Sequence, residues 1–410
     1  MNNNTSIRDV LESIAENEGK EGHLKIKILK SLFELKEASI ANLCDNMNLS
    51  IPSVNKILSG LFGANWIERK GNGISKNGRR PSIISLAPNL FYILCIDIEL
   101  FAVKIAIFDN TVLCFKKITF PFILSKSRED ISTIVAEAEK LLTEAQIDKK
   151  QLIGVSICLP GLINTVNGET FFYLTEPANR ITLSEYFEAL FGLPVILQND
   201  VNAAALGELK YGKAQGKKDA LVLLMDWGIG LGIIMDGDVR KGALGFSGEI
   251  GHIPFDYNGK LCYCGKQGCL ETIASGIALV KMAKEGIKSG QSSILYELSN
   301  QNLDNIDPAI IIDAAKKGDL FAIQLLSQVG SALGKGISTL IQIFNPELII
   351  LEGRIAGAGQ YITLPVLQSI NTYCMAQIRE QTQIAVSELG ESASLIGCAI
   401  EGINKLLPEC

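Results

Sequence analysis

Two hydrophobic periods follow one another along the chain, and their order predicts its architecture. Near the amino end the period is helical: Leu24, Ile28, Leu32 and Leu35 mark a helix over 24–35, and a second short one fits 38–46. After a turn over Met47 to Leu49, Ser50 is placed to cap a third helix. Pro52 then falls in its first turn, where a missing N–H does no harm. Val54, Ile57, Leu58 and Leu61 form the apolar stripe of that helix, and Ser53, Asn55, Lys56 and Ser59 its polar face. Ile67 to Lys70 and Ile74 to Lys76, flanking Gly71-Asn72-Gly73, read as a hairpin.

From residue 91 the texture changes to strands, three in succession broken at Glu99 to Phe101 and at Asp109-Asn110. A related pattern recurs at 219–242, where one apolar strand ends in Asp226, a second in Asp236-Gly237, and a third follows. This is an internal duplication of a hairpin-plus-strand unit. Between the copies lie an amphipathic helix at 129–146, a strand leading into Pro160-Gly161, and a strand that ends at Asn199-Asp200 and opens a helix. That last junction places two polar side chains at the carboxyl end of a strand, where α/β sheets put ligands. Residues 308–344 are helix-rich, 346–352 return a strand, and a helix starts near Ser392.

Length and composition narrow the class. A chain of 410 residues suggests two or three domains, and 47% hydrophobic with 20% charged residues reads as soluble and globular. The first twenty residues have no apolar core of a signal peptide, and no stretch offers eighteen uninterrupted apolar residues. The expectation is a cytoplasmic protein with no membrane partner and reduced cysteines. Charge changes the picture at one end only. The net charge is −6, yet residues 1–81 carry twelve Lys or Arg against nine Asp or Glu, and 51–81 carry six against one. A small basic module is attached to an acidic body.

Three short helices with a basic wing read as a winged helix-turn-helix whose third helix enters a DNA major groove. Ser53, Asn55, Lys56, Arg69, Lys70 and Lys76 are the expected DNA contacts, with Arg79 and Arg80 of Gly78-Arg79-Arg80-Pro81 reaching phosphates or a minor groove. The expected partner is double-stranded operator DNA. Two-fold operators demand paired modules, so a homodimer or higher homo-oligomer is expected.

The densest chemistry lies in Gly245 to Ser275. Cys262, Cys264 and Cys269 follow a C-x-C-x4-C spacing, with Gly265 and Gly268 permitting tight turns, and His252 offers a fourth ligand. Three thiolates and an imidazole suit tetrahedral zinc in a closed, structural site. Such a metal would also fix Glu249 and Glu271, which flank the ligands.

Gly248-Glu249-Ile250-Gly251-His252 followed by C-x-C-G-x-x-G-C-L-E resembles the signature of the ROK family of sugar kinases and sugar-responsive repressors, over about residues 20 to 400. The resemblance implies an α/β, actin-like ATPase (ribonuclease H-like) fold of two lobes, with ligand in the cleft between them. The domains would then be 1–87, the winged helix-turn-helix; 88–200, the first lobe; 201–390, the second lobe with the zinc loop; and 391–410, a helix returning to the first lobe. It implies a sugar effector bound by Asn199, Asp200, Glu249, His252 and Glu271, with Pro160 and Gly161 lying along the sugar. His252 would place one ring nitrogen on zinc and the other on a sugar hydroxyl. Hexose, N-acetylhexosamine and xylose all occur as ligands of similar repressors. Asp200 would be the general base if the protein were a kinase.

The kinase parts depart from the family pattern. Where the first phosphate loop reads D-x-G-G-T, Asp97 is followed by Ile98, Glu99, Leu100 and Phe101. In the second, Gly228, Gly230 and Gly232 remain but Asp226-Trp227 precede them, and Glu352-Gly353 replaces a glycine pair. Added negative charge disfavours triphosphate, so a non-enzymatic regulator is expected, with an ATP-dependent sugar kinase carrying a DNA-binding appendage as the alternative.

Overall fold

Helix α1 (Ile7–Asn17) buries Ile7, Leu11 and Ala15, a stripe at i, i+4 and i+8. Helix α2 (Gly19–Leu35) starts ahead of the expected 24–35. The chain then forms a short strand, β1 (Glu37–Ser39), before α3 (Ile40–Met47), so the first residues of the expected 38–46 helix belong to a sheet. Ser39 explains the switch: its hydroxyl accepts from the Asn42 N–H, and the Asn42 side chain accepts from the Ser39 N–H at 3.2 Å, a reciprocal cap that fixes where the helix begins. Helix α4 (Ile51–Gly63) is capped by Ser50 and buries Val54, Ile57, Leu58 and Leu61.

Strands β2 (Ile67–Asn72) and β3 (Ser82–Leu86) pair antiparallel, and β1 joins the far side of β3, giving the order β1-β3-β2. This corrects the hairpin expected around Gly71-Asn72-Gly73. Gly71 and Asn72 lie within β2, which bulges between Arg69 and Gly71, and its partner is Ser82–Leu86. The computed structural model describes residues 5–17, 19–72, 82–176 and 181–409, so the expected strand Ile74 to Lys76 lies outside the described residues.

Next come β4 (Tyr92–Ile98), β5 (Ala102–Asp109), β6 (Cys114–Pro121), α5 (Ile131–Ala145), β7 (Leu152–Leu159), β8 (Ile163–Asn164), β9 (Glu169–Thr170), α6 (Leu183–Phe191) and β10 (Val195–Asn199). Five of these strands form one sheet in the order β10-β7-β4-β5-β6. Strand β4 pairs antiparallel with β5 and parallel with β7. Leu94, Ile96, Ile105, Val155 and Ile157 form its core with Ile134 and Leu141 of α5 and Phe187 and Phe191 of α6. From Phe115 to Pro121 of β6, exposed and half-buried positions alternate, as an edge strand with one wet face should. Helix α1 packs against α2, the turn Lys149–Gln151 and β7.

The remainder comprises α7 (Asp200–Tyr211), β11 (Ala220–Met225), β12 (Ile229–Met235), β13 (Asp238–Val239), α8 (Glu271–Ala274), α9 (Gly276–Lys288), α10 (Leu295–Leu298), α11 (Pro308–Lys316), α12 (Leu320–Phe344), β14 (Leu348–Glu352), α13 (Gln360–Tyr373), α14 (Ala376–Arg379), β15 (Gln383–Val386) and α15 (Ala393–Leu406). Its sheet runs β13-β12-β11-β14-β15. Numbered within each sheet by chain order, both sheets read 3-2-1-4-5, with the first two strands antiparallel and the fourth parallel to the first. The internal duplication is therefore present in topology. Leu221, Leu223 and Met225 face α12 and its neighbours, whereas Ala220 and Val222 face α7, so every position of β11 is apolar. The fold divides into two units, 1–198 with 398–410, and 199–397.

Candidate functional site

The thiol cluster is built by a loop that folds back on itself. Leu261 bridges to Gln267 and Pro254 to Cys269, while the Cys262 N–H donates to the Lys266 carbonyl at 2.8 Å and the Gly265 N–H to the Cys262 carbonyl at 3.0 Å. These bonds bring the three sulfurs round to the short 3-10 turn Ile250–His252. The ligand atoms of His252, Cys262, Cys264 and Cys269 all lie within 4.8 Å of one another. Cys264 and Cys269 Sγ are 3.7 Å apart, and Cys262 Sγ is 3.6 Å from His252 Nδ1. Tetrahedral zinc with Zn–S bonds of ~2.3 Å has sulfur–sulfur edges of ~3.8 Å, so the residues fit that metal. Burial, and then Lys266, lower the His252 pKa, which keeps the imidazole neutral and able to ligate.

The flanking carboxylates occupy different environments. Glu271 opens α8 and is 8% exposed. The Ile229 N–H donates to its Oε2 at 3.1 Å, and side chains at Gly228 or Gly251 would come within 3.0 or 3.2 Å of that oxygen. Those glycines let a carboxylate sit against backbone. Glu249 lies beside His252, its Oε2 3.9 Å from Nε2. Burial and the Glu271 charge push Glu249 up to about 7, against the pull of Lys266. Burial raises Glu271 as well, opposed by the bonds from Ile229 and Tyr263. Tyr263 was not legible as a site residue, yet its hydroxyl stands 3.1 Å from His252 Nε2. The two ring nitrogens are thereby divided, Nδ1 toward the thiols and Nε2 toward Tyr263 and Glu249.

Asn199 caps α7, its Oδ1 accepting from the Asn202 N–H at 3.1 Å, and Asp200 accepts from the Val201 N–H at 2.8 Å. Both therefore present their remaining polar atoms at a helix start. Asn202 is the neighbour that periodicity did not flag: it is buried, its Nδ2 reaches the Gly245 carbonyl at 3.5 Å, and its Oδ1 has no hydrogen-bond partner. Pro160 and Gly161 follow β7 in the other unit, with Gly161 at φ +90. The structure thus groups Glu249, His252 and Glu271 in one cluster and holds Asn199 and Asp200 in the same unit.

At the positions of the expected phosphate loops the added acids are paired with bases. Glu99 accepts from buried Lys104 at 2.5 Å, and Lys104 stands opposite Asp97 in the β4–β5 register. Asp226 accepts from Arg354 at 2.6 Å, and the same guanidinium lies 5.9 Å over the Trp227 ring. The acids at these positions are therefore neutralised where they stand rather than free negative charges. Beside Glu352-Gly353, a cavity of about 480 Å³ persists, lined by Ile312, Lys316, Leu351, Arg354 and Val386.

In the amino-terminal module, Ser53 and Asn55 are exposed along α4. Lys56 is exposed too, but its Nζ bonds Glu21 of α2 at 2.7 Å. Lys70 pairs with Glu68 at 2.7 Å, and the Arg69 guanidinium stacks 5.3 Å from the Phe62 ring. Lys76, Arg79 and Arg80 lie outside the described residues.

The "Xylose repressor" of Caldicellulosiruptor bescii is 29% identical over 385 residues, covering 93% of this chain and 96% of that protein. A solved ROK family transcriptional regulator, a homologue of the E. coli MLC protein, superposes with a TM-score of 0.75 at 27% identity over 94% of this chain and 97% of its own. A ROK family glucokinase from Streptomyces griseus, solved with glucose and AMPPNP, gives a TM-score of 0.68 at 28% identity, covering 75% of this chain and 98% of its own. The model of the ROK family matches residues 93–401, and together with the likeness over both sheets it makes this chain a member of the ROK family.

Proposed function

We propose that this chain is a sugar-responsive transcriptional repressor, in which residues 1–87 bind a DNA operator and the remainder binds the sugar that alters operator affinity. The observation that carries the reading is one of extent. The glucokinase accounts for nearly all of itself on 75% of this chain, and the family model begins at residue 93, whereas the repressor and regulator span 93–94%. What this protein has beyond a kinase body is the module from α1 to β3.

Within that module α4 is the recognition helix, presenting Ser53, Asn55 and Lys56, with Arg69, Lys70, Lys76, Arg79 and Arg80 on phosphates or minor groove. The sugar is held by Asn199, Asp200, Glu249, His252 and Glu271, and by the Pro160-Gly161 loop, hydroxyls meeting acceptors and donors in pairs. Zinc on His252, Cys262, Cys264 and Cys269 is structural, holding Glu249 and Glu271 in place. The repressor acts as a homodimer in the cytoplasm, which suits two-fold operators; among the described residues no helix is long and apolar enough to cross a membrane.

Kinase activity is the second reading, favoured by the glucokinase likeness and by the cavity beside Glu352-Gly353. The paired Glu99–Lys104 and Asp226–Arg354 groups weigh against it. The test is fluorescence anisotropy on a duplex selected from a random-sequence pool, titrated with D-glucose, D-xylose and N-acetyl-D-glucosamine, alongside calorimetry with Mg-ATP. Sugar-dependent release without nucleotide binding supports the repressor. Micromolar ATP binding with formation of a phosphorylated sugar would overturn it.

A further inference from the structure

The two ring nitrogens of His252 meet different neighbours, and the one turned away from the thiols is already engaged. Tyr263 stands between Cys262 and Cys264 in the chain, and its hydroxyl lies 3.1 Å from His252 Nε2. The same hydroxyl donates to Glu271. With Nδ1 facing Cys262, Nε2 carries the ring proton, so the phenol oxygen accepts from the imidazole while its own proton goes to the carboxylate. A sugar hydroxyl has that same pair of capacities. One of the protein's own side chains thus makes the two bonds that His252 and Glu271 would offer a ligand.

The loop fixes the backbone under Tyr263 and leaves the ring at the surface. The Gly265 N–H donates to the Cys262 carbonyl at 3.0 Å, which closes a four-residue turn with Tyr263 in its second position, and the Cys262 N–H donates to the Lys266 carbonyl at 2.8 Å. Leu261 bridges to Gln267 behind it. The ring meets the imidazole edge-on, with centroids 5.1 Å apart and planes at 84°. Tyr263 is nonetheless 56% exposed, so rotation about its side-chain torsions carries the ring into water with the backbone turn intact. His252, Tyr263 and Glu271 all belong to the unit 199–397, as does Glu249, whose Oε2 is 3.9 Å from the same nitrogen.

We propose that Tyr263 is a built-in competitor of the sugar: its hydroxyl holds His252 Nε2 and Glu271 in the sugar-free protein and must leave both before a sugar hydroxyl can take them. This rests on the reading that His252 and Glu271 receive the sugar. The competition lowers affinity by the net strength of the bonds surrendered, which is small because the phenol is rehydrated as it leaves. In return, the buried Glu271 carboxylate has a second donor beside the Ile229 N–H while no ligand is present.

The test is calorimetry on zinc-loaded, full-length protein with D-glucose, D-xylose and N-acetyl-D-glucosamine. Tyr263→Phe, which removes only the hydroxyl, binds the preferred sugar roughly two- to tenfold more tightly than wild type, and Tyr263→Ala gains at least as much. Wild-type or weaker affinity in Tyr263→Phe would overturn the proposal, weaker affinity marking Tyr263 as a sugar contact instead. The chain has two histidines, so nuclear magnetic resonance of isotopically labelled histidine gives a readout that a merely structural tyrosine would not move. In sugar-free protein Tyr263→Phe shifts the His252 Nε2 resonance, told from that of His23 by a His23→Gln variant. Saturating sugar then brings wild type and Tyr263→Phe to one position, because the sugar hydroxyl has replaced the phenol. An unshifted resonance in sugar-free Tyr263→Phe, or positions that stay apart at saturation, would equally overturn the proposal. Absence of binding of all three sugars to wild type and both variants, with the sugar-free shift present, would overturn the sugar reading and the competition with it, while leaving the Tyr263–His252 contact standing.

Discussion

Replacing Lys104 by Met tests whether Glu99 and Lys104, at the position where the family pattern expects a first phosphate loop, form a structural ion cluster. Lys104 lies in the second strand of a buried sheet, its side chain 8% exposed, with Glu99 at 2.5 Å and 15% exposed. Asp97 is 3% exposed and stands opposite Lys104 in the antiparallel register. Lys104→Met preserves volume and removes the charge, stranding two acids in a poorly solvated place. Breaking a buried pair from one side costs about 3–5 kcal/mol. In a unit of this size each kcal/mol moves the midpoint by roughly 2–4 °C, so the unit should melt roughly 6–20 °C lower. Scanning calorimetry is the assay, because two units need not unfold as one transition and the affected one can be followed by itself. Lys104→Met combined with Glu99→Gln should recover part of the loss, leaving the Asp97 charge as the remainder. A Lys104→Met protein melting within a degree of wild type would refute the reasoning, since the cluster would then contribute nothing.

Three further outcomes follow from geometry. Metal analysis of dialysed protein should find about one zinc per chain, and Cys264→Ser should lose most of it and lower thermal stability. Gly397→Ala places a Cβ 1.7 Å from the Ala203 carbonyl oxygen, backbone that cannot step aside, so urea unfolding should show about 1–3 kcal/mol of lost stability; an unchanged midpoint counts against the close contact of α15 with α7. Lys56→Ala should weaken operator binding across sequences and flatten the logarithmic salt dependence by about 0.9, measured by anisotropy between 50 and 200 mM salt; an unaltered slope would place Lys56 off the phosphates.

Much of this organisation was readable because it rests on period and spacing. The strands of both sheets fell where apolar runs met Asp109-Asn110 or Asp236-Gly237, and α4 followed from Ser50, Pro52 and four apolar positions. The thiol loop was legible since ligand spacing leaves a local trace. Long-range pairing leaves none. Ser82–Leu86 could not be identified as the partner of β2 because the Gly71-Asn72-Gly73 signal pointed to a tighter turn. Helix α1 was missed although its signal is in the chain: Ile7, Val10, Leu11, Ile14 and Ala15 recur at i, i+3, i+4, i+7 and i+8, a helical stripe set among polar residues. Asp226 and Glu99 were read as free charges, since the arginine that neutralises Asp226 is 128 residues away. Lys104 could have been suspected, as the sole charge in the run Val103 to Phe108, which must otherwise bury its side chains.

The seat of α1 bears on how separable the DNA-binding part is from the rest. Because α1 packs on the turn Lys149–Gln151 and on β7 as well as on α2, a cut after residue 87 would remove a helix whose Ile7, Leu11 and Ala15 are buried. A truncated body would expose the part of β7 and of that turn which α1 covers. The appendage has been stitched in by eleven residues at the extreme amino end, and β7, the strand it is stitched to, leads directly into Pro160-Gly161. Excising the module would therefore disturb from behind the Pro160-Gly161 loop proposed to lie along the sugar, and truncations that lose sugar response need not have lost a sugar contact.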